Sequence, residues 1–138
     1  MAGINDFNQK IMEEFHANAG KVGGPFAGVD ILILTSTGRK SGQMRWHPVA
    51  YSTDGDRYII VASRGGAPTS PGWYHNLVAN PSAVIEVGSD VIAVEATIAS
   101  GAERERLYAQ HAARMPAFNE YKTKTTREIP VVVLTRKS

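Results

Sequence analysis

The sequence predicts an α+β domain whose antiparallel sheet closes into a small barrel. Three observations carry this reading. Six short strand patterns run along the chain, joined mostly by hairpin turns, and helical patterns sit at the start, middle and end. The third is length: 138 residues, 43% of them hydrophobic, suffice for one core and not for two. So many short strands in so short a chain leave edges to protect, and closure protects them.

The elements follow in order. Ile4, Phe7, Ile11 and Phe15 recur at spacings of three and four, with Asn8, Lys10, Glu13 and Glu14 between them, so residues 1–18 read as an amphipathic helix. The connector K-V-G-G-P-F-A-G is too short to separate domains, and residues 1–138 form a single one. Residues 30–35, D-I-L-I-L-T, read as a strand buried on both faces. A turn follows, then a second strand over 44–52, a hairpin at Asp54-Gly55 and a third strand over 58–63. After the loop R-G-G-A-P-T-S-P, Ser70 is placed to cap a short helix that has Pro71 in its first turn and ends at Asn80-Pro81. Residues 83–87 and 91–97 form another hairpin around Gly88-Ser89-Asp90. Ser100 and Glu103 make a capping-box pattern for a helix that runs to Met115, and Pro116 ends it. A polar and aromatic segment leads to the last strand, 129–135.

Composition narrows the function. The net charge of +2 comes from 15 cations against 13 acids, which argues against a nucleic-acid partner. The distribution is more telling: residues 31–53 contain no acid but include Arg39, Lys40 and Arg45. Cysteine is absent, which removes disulfides and thiolate chemistry, and the four histidines are scattered, so no metal site is expected. The N-terminus lacks the pattern of a signal peptide, and no apolar run approaches a membrane span, so the chain reads as cytoplasmic.

Two stretches bear chemistry. T-S-T-G-R-K-S-G lacks the glycine spacing of a Walker A loop, and a strand follows it where that loop requires a helix. It reads either as a solvated turn or as an anion-binding concavity of backbone N–H groups, hydroxyls and cations, suited to phosphate or carboxylate. The stretch S-R-G-G-A-P-T-S-P-G-W-Y-H-N-L supplies Arg64, close-approach glycines and two aromatics, Trp73 and Tyr74, which either plug the core or face a flat ligand. Met115, Phe118 and Tyr121, at three-residue spacing, could lie over one opening, with core packing as the plainer reading. The residues ask for a flat ligand with an anionic tail and do not name it.

Four stretches occur in the order and spacing of one family: L-T-S-T-G-R-K-S-G-Q-x-R, V-A-S-R-G-G-A-P, P-G-W-Y-H-N-L-V-A-N-P and R-E-I-P-V-V-V-L. Over residues 30–134 the chain resembles the deazaflavin-dependent nitroreductase family. The resemblance implies a split β-barrel related to FMN-binding oxidases. It also implies coenzyme F420, a flat deazaflavin with a phosphate and a polyglutamate tail. Arg39, Lys40, Ser41 and Arg45 match the loop that receives the anionic portion. Val61, Ala62, Ser63 and Arg64 match the strand end along the deazaflavin, and Gly72, Trp73, Tyr74, His75 and Asn76 match the segment closing the cleft. Phe118 matches an aromatic near the ring, and Ser63 and Tyr121 match hydroxyls facing substrate. Met115 and Phe118 stand where the nitroimidazole-activating relative has tyrosines, so the implied acceptors are quinones and coumarin-type enones or lactones before nitro compounds. A non-catalytic F420 carrier and an FMN-dependent barrel oxidoreductase are the rival readings. Monomer and dimer both stay open, as does weak adsorption of the N-terminal helix to a membrane surface.

Overall fold

A computed structural model describes residues 6–18, 20, 30–63, 70–125 and 128–137. The elements are α1 (Asp6–Ala17), β1 (Ile31–Thr37), β2 (Met44–Ala50), β3 (Ser52–Asp54), β4 (Arg57–Val61), α2 (Gly72–Ala79), β5 (Ser82–Val87), β6 (Asp90–Ile98), α3 (Gly101–Arg114), α4 (Ala117–Lys124) and β7 (Val131–Arg136). The strands form one antiparallel sheet in the order β2-β1-β5-β6-β7-β4-β3.

This order explains the curl. The edge strands β2 and β3 lie at opposite ends of the sheet, yet Tyr51 alone separates them in sequence. The sheet must therefore roll up until its two edges meet at that residue, whose N–H donates to the Asp30 carbonyl at 3.0 Å. The strand expected over 44–52 is accordingly two strands. Its first half pairs with β1 and its second with β4, and the chain turns the corner at Tyr51.

Alternation then sorts the side chains. Leu32 and Leu34 of β1, Val49 of β2, Ile60 of β4, Ile85 of β5, Val94 of β6 and Leu134 of β7 fill the barrel, and Trp73 and Leu77 of α2 join them at one end. The outer face is covered twice. Phe15 of α1 packs on Ile31 and Ile33, which is why β1 is buried on both sides as its sequence predicts. On the other flank, Leu107, Tyr108 and Ala112 of α3 pack on Ile59, Val61, Val131 and Val133. Ile4 and the Phe7 side chain lie outside what is described, whereas Ile11 and Phe15 are 6% and 0% exposed. The described part of that apolar face, Ile11 and Phe15, is thus spent on the core. Among the described residues no helix is long and apolar enough to cross a membrane.

Three helix expectations need correction. The N-cap of α2 is Pro71, not Ser70. Ser100 does occupy the N-cap of α3, but its side chain makes no capping bond. The next residue, Gly101, has φ +58°, and this left-handed start departs from the geometry a capping box requires. Finally, the aromatic segment after Pro116 is a helix, α4, which the three-residue spacing of Met115, Phe118 and Tyr121 already suited.

Candidate functional site

Along the inner faces of β1 and β2 the side chains change from apolar to polar. On β1 the order is Leu32, Leu34, Ser36; on β2, read toward the same end, it is Val49, His47, Arg45. The polar end is finished by the β1–β2 turn. Gly38 N–H donates to the Gln43 carbonyl at 2.7 Å, and Gly42, at φ +72°, donates to the Gly38 carbonyl at 2.8 Å. A Cβ on Gly38 would sit 2.9 Å from Ser41 Oγ and 3.2 Å from the Gln43 carbonyl oxygen, so any other residue there would push the Ser41 hydroxyl and the closing carbonyl aside. Ser41 Oγ accepts from Gln43 N–H at 3.2 Å and from Arg45 Nη2 at 3.4 Å.

Asn76 ties the turn to α2. Its Oδ1 accepts from Arg39 N–H at 3.1 Å and its Nδ2 donates to Ser36 Oγ at 3.4 Å, while the side chain as a whole is buried. The result is an open cleft of about 350 Å³ lined by Gly38, Arg39, Lys40, Ser41, Arg45 and His47 on the sheet side and by Gly72 and Asn76 on the helix side. None of the lining residues is acidic, and among the described residues Arg39, Lys40 and Arg45 form no ion pair. The first turn of α2 carries no acid either. Cations without counter-charges, beside the positive end of a helix, favour a bound anion. The half-buried His47 ring has its Nδ1 buried with no partner among the described residues. Burial, and after it Arg45, push its pKa below the usual 6.5.

The other expected residues fall in two places. Ala62 and Trp73 pack inside the barrel, with Tyr74 half-buried against them and the exposed His75 edge-on to Tyr74 at 5.3 Å. The plainer reading of Trp73 as a core plug is the structural one. Val61 faces outward, where the half-buried Phe118 and Tyr121 pack on the same group, their rings 5.0 Å apart. Met115 is half-buried at the C-cap of α3. Ser63, just beyond β4, is 5% exposed. Arg64 lies outside the described residues. The structure therefore gathers Arg39, Lys40, Ser41, Arg45, Gly72 and Asn76 in one cleft and puts Phe118 and Tyr121 on the opposite face of the sheet.

Two histidines that no sequence motif singles out matter here. His47 stands two residues from Arg45, so strand alternation alone puts both on one face. His111, fully buried on α3, bonds Ser52 Oγ through Nδ1 at 2.7 Å and meets the Phe118 ring edge-on at 4.5 Å. Nothing in its local pattern distinguishes it from a surface histidine.

Comparison with known proteins agrees with this fold. The family model for F420H2-dependent quinone reductase matches residues 8–136. An F420H2-dependent quinone reductase of Mycobacterium tuberculosis is 43% identical over 111 residues, 77% of this chain and 73% of that protein. The solved F420H2-dependent reductase FDR-A superposes with a TM-score of 0.71 at 38% identity, covering 75% of this chain and 92% of the other. A structure described as a domain-swapped dimer gives a TM-score of 0.73 at 32% identity over 94% of this chain and 97% of its own. With a match running through all seven strands of the curled sheet, the chain belongs to the F420H2-dependent quinone reductase family, oxidoreductases whose cofactor is coenzyme F420.

Proposed function

We propose that the protein reduces a quinone or a similar flat enone or lactone with reduced F420, and that the cleft between the β1–β2 turn and α2 holds the cofactor's phosphate and glutamate portion. The observation that carries this is the cleft itself: Arg39, Lys40 and Arg45 stand around it with no acid among its lining residues. The residues present fit an anionic tail, and His47, whose Nδ1 has no partner among the described residues, lines the same cleft.

When bound, reduced F420 supplies a hydride. The chain's own part is to bind, orient and polarise. Arg39, Lys40 and Arg45 neutralise the tail, and Ser41 fixes the Arg45 guanidinium. Asn76 holds the Arg39 backbone, so the turn keeps its shape in the absence of ligand. The backbone at Val61, Ala62 and Ser63, whose side chains are enclosed, would lie along the ring, and Gly72 and Asn76 bound the cleft from the helix side. The family resemblance puts Phe118 and Met115 beside a flat acceptor, which requires the ring to reach from the cleft past the end of the sheet to the outer face, where Phe118 packs. Tyr121 is a better hydrogen-bond donor to the acceptor oxygen than Ser63, because its ring is half-buried whereas Ser63 is nearly enclosed.

Binding and turnover test the reading. F420 should bind far more tightly than FMN, since the cations await a longer polyanion, and the complex should reduce a quinone. Lys40→Glu and Arg45→Glu should each weaken F420 binding about ten- to hundredfold, the equivalent of about 1.5–3 kcal/mol for a charge-assisted contact. The loss should be larger at low salt and larger for long-tailed than for tail-stripped cofactor. Equal FMN affinity, or unchanged long-tail affinity in both variants, would refute the assignment. Tight binding with no turnover of any acceptor would point instead to a carrier.

A further inference from the structure

We infer that His47 is a fourth contact for the anionic portion of the cofactor and takes up a proton as that portion binds, so that cofactor affinity rises as pH falls. This rests on the reading of the cleft given above and adds a proton-linked contact to it. The geometry has three parts. His47 lies on the inner face of β2, in line with Arg45, and lines the same cleft. Its Nδ1 is buried and has no partner among the described residues, so the ring has a hydrogen-bonding position that the protein itself leaves unfilled. Among the described residues, every charged group lining the cleft is a cation: Arg45 on its own strand and Arg39 and Lys40 on the turn, with neutral Gly72 and Asn76 facing from α2 and neutral Ser36 and Leu34 on β1.

Those surroundings hold the ring neutral in the free protein, since burial and the Arg45 charge both disfavour an imidazolium. A phosphate or carboxylate in the cleft, beside a ring that lines it, reverses the second influence. Bound protein therefore holds a proton on His47 at a pH where free protein does not, and by linkage affinity climbs up to about tenfold per pH unit between the two pKa values. A histidine with no such role would show neither the uptake nor the slope.

The test uses intact protein and F420 carrying several glutamates. Dissociation constants are measured from pH 8 to pH 5.5 for the wild type, His47→Gln and Lys40→Glu, with calorimetry in two buffers of different ionisation enthalpy to count protons. The wild type should tighten on acidification and take up a fraction of a proton approaching one. His47→Gln should lose that slope and that uptake, and its affinity should fall below that of the wild type chiefly at the acid end. Any titration of the cofactor itself persists in the variant and cancels in the comparison. Equal slopes and equal proton uptake in wild type and His47→Gln would overturn the role of His47 even if Lys40→Glu weakens binding. Indifference of the affinity to Lys40→Glu would overturn the cleft assignment first. If His47→Gln melts below the assay temperature, the wild-type proton count decides alone, and a count of zero refutes the inference.

Discussion

His111 should make the fold acid-sensitive in a calculable way. Its ring is fully buried, its Nδ1 is engaged by Ser52, and its Nε2 has no partner among the described residues. Burial alone pushes its pKa from the ordinary 6.5 to about 4. The folded value lies below the unfolded one, so above pH 6.5 both states are neutral and the group has no effect. As pH falls below 6.5 the unfolded chain takes up a proton that the folded protein refuses, and stability is lost until pH 4, where the loss levels off. At about 1.4 kcal/mol per pH unit the full loss is about 3 kcal/mol, and about 2 kcal/mol of it is already present at pH 5. Urea unfolding at pH 7.5 and pH 5 measures it for the wild type and for His111→Asn, whose amide can still meet Ser52. The variant starts less stable because a ring is missing from the core, but the difference between the two pH values should shrink by about 2 kcal/mol. If wild type and variant lose equal stability between pH 7.5 and pH 5, with equal urea dependence, burial is not holding this ring neutral.

Two further outcomes follow from the geometry. Asn76→Ala removes the partner of Ser36 Oγ and of Arg39 N–H; at about 1–3 kcal/mol for an unsatisfied buried group it should lower the melting temperature by several degrees and also weaken F420 binding, measured by thermal melt and titration. Met115→Tyr with Phe118→Tyr should raise nitroimidazole reduction relative to quinone reduction, and an unchanged product ratio would remove these positions from substrate selection.

Much of the barrel was legible because alternation and hairpin chemistry act locally. D-I-L-I-L-T announces a strand covered on both sides, and Asp54-Gly55 and Gly88-Ser89 announce their turns. The corner at Tyr51 was not, since both halves of 44–54 carry extended patterns and only the pairing partners, β1 and β4, demand a break between them. The Ser100 capping pattern misled because a box presumes regular helix geometry in the first turn, and Gly101 does not adopt it. At the site, charge and glycine placement exposed the turn. The Asn76 brace stayed hidden because it joins residues 37 and 40 positions away, a distance over which no local pattern reports.

The strand order also dictates when this protein can fold during its synthesis. β7 lies between β6 and β4, pairing Val94 with Arg136 on one side and Tyr58 with Leu134 on the other. Until residues 131–136 leave the ribosome, β4 and β3 have no strand neighbour to attach them to the rest of the sheet, and Ile60 lacks its partner Val132. Sequence-distant pairing of this kind slows folding and prolongs the exposure of an open edge. Ribosomes stalled before residue 131 should therefore carry a chain that proteases cut readily, and those stalled with β7 fully emerged a chain that they do not.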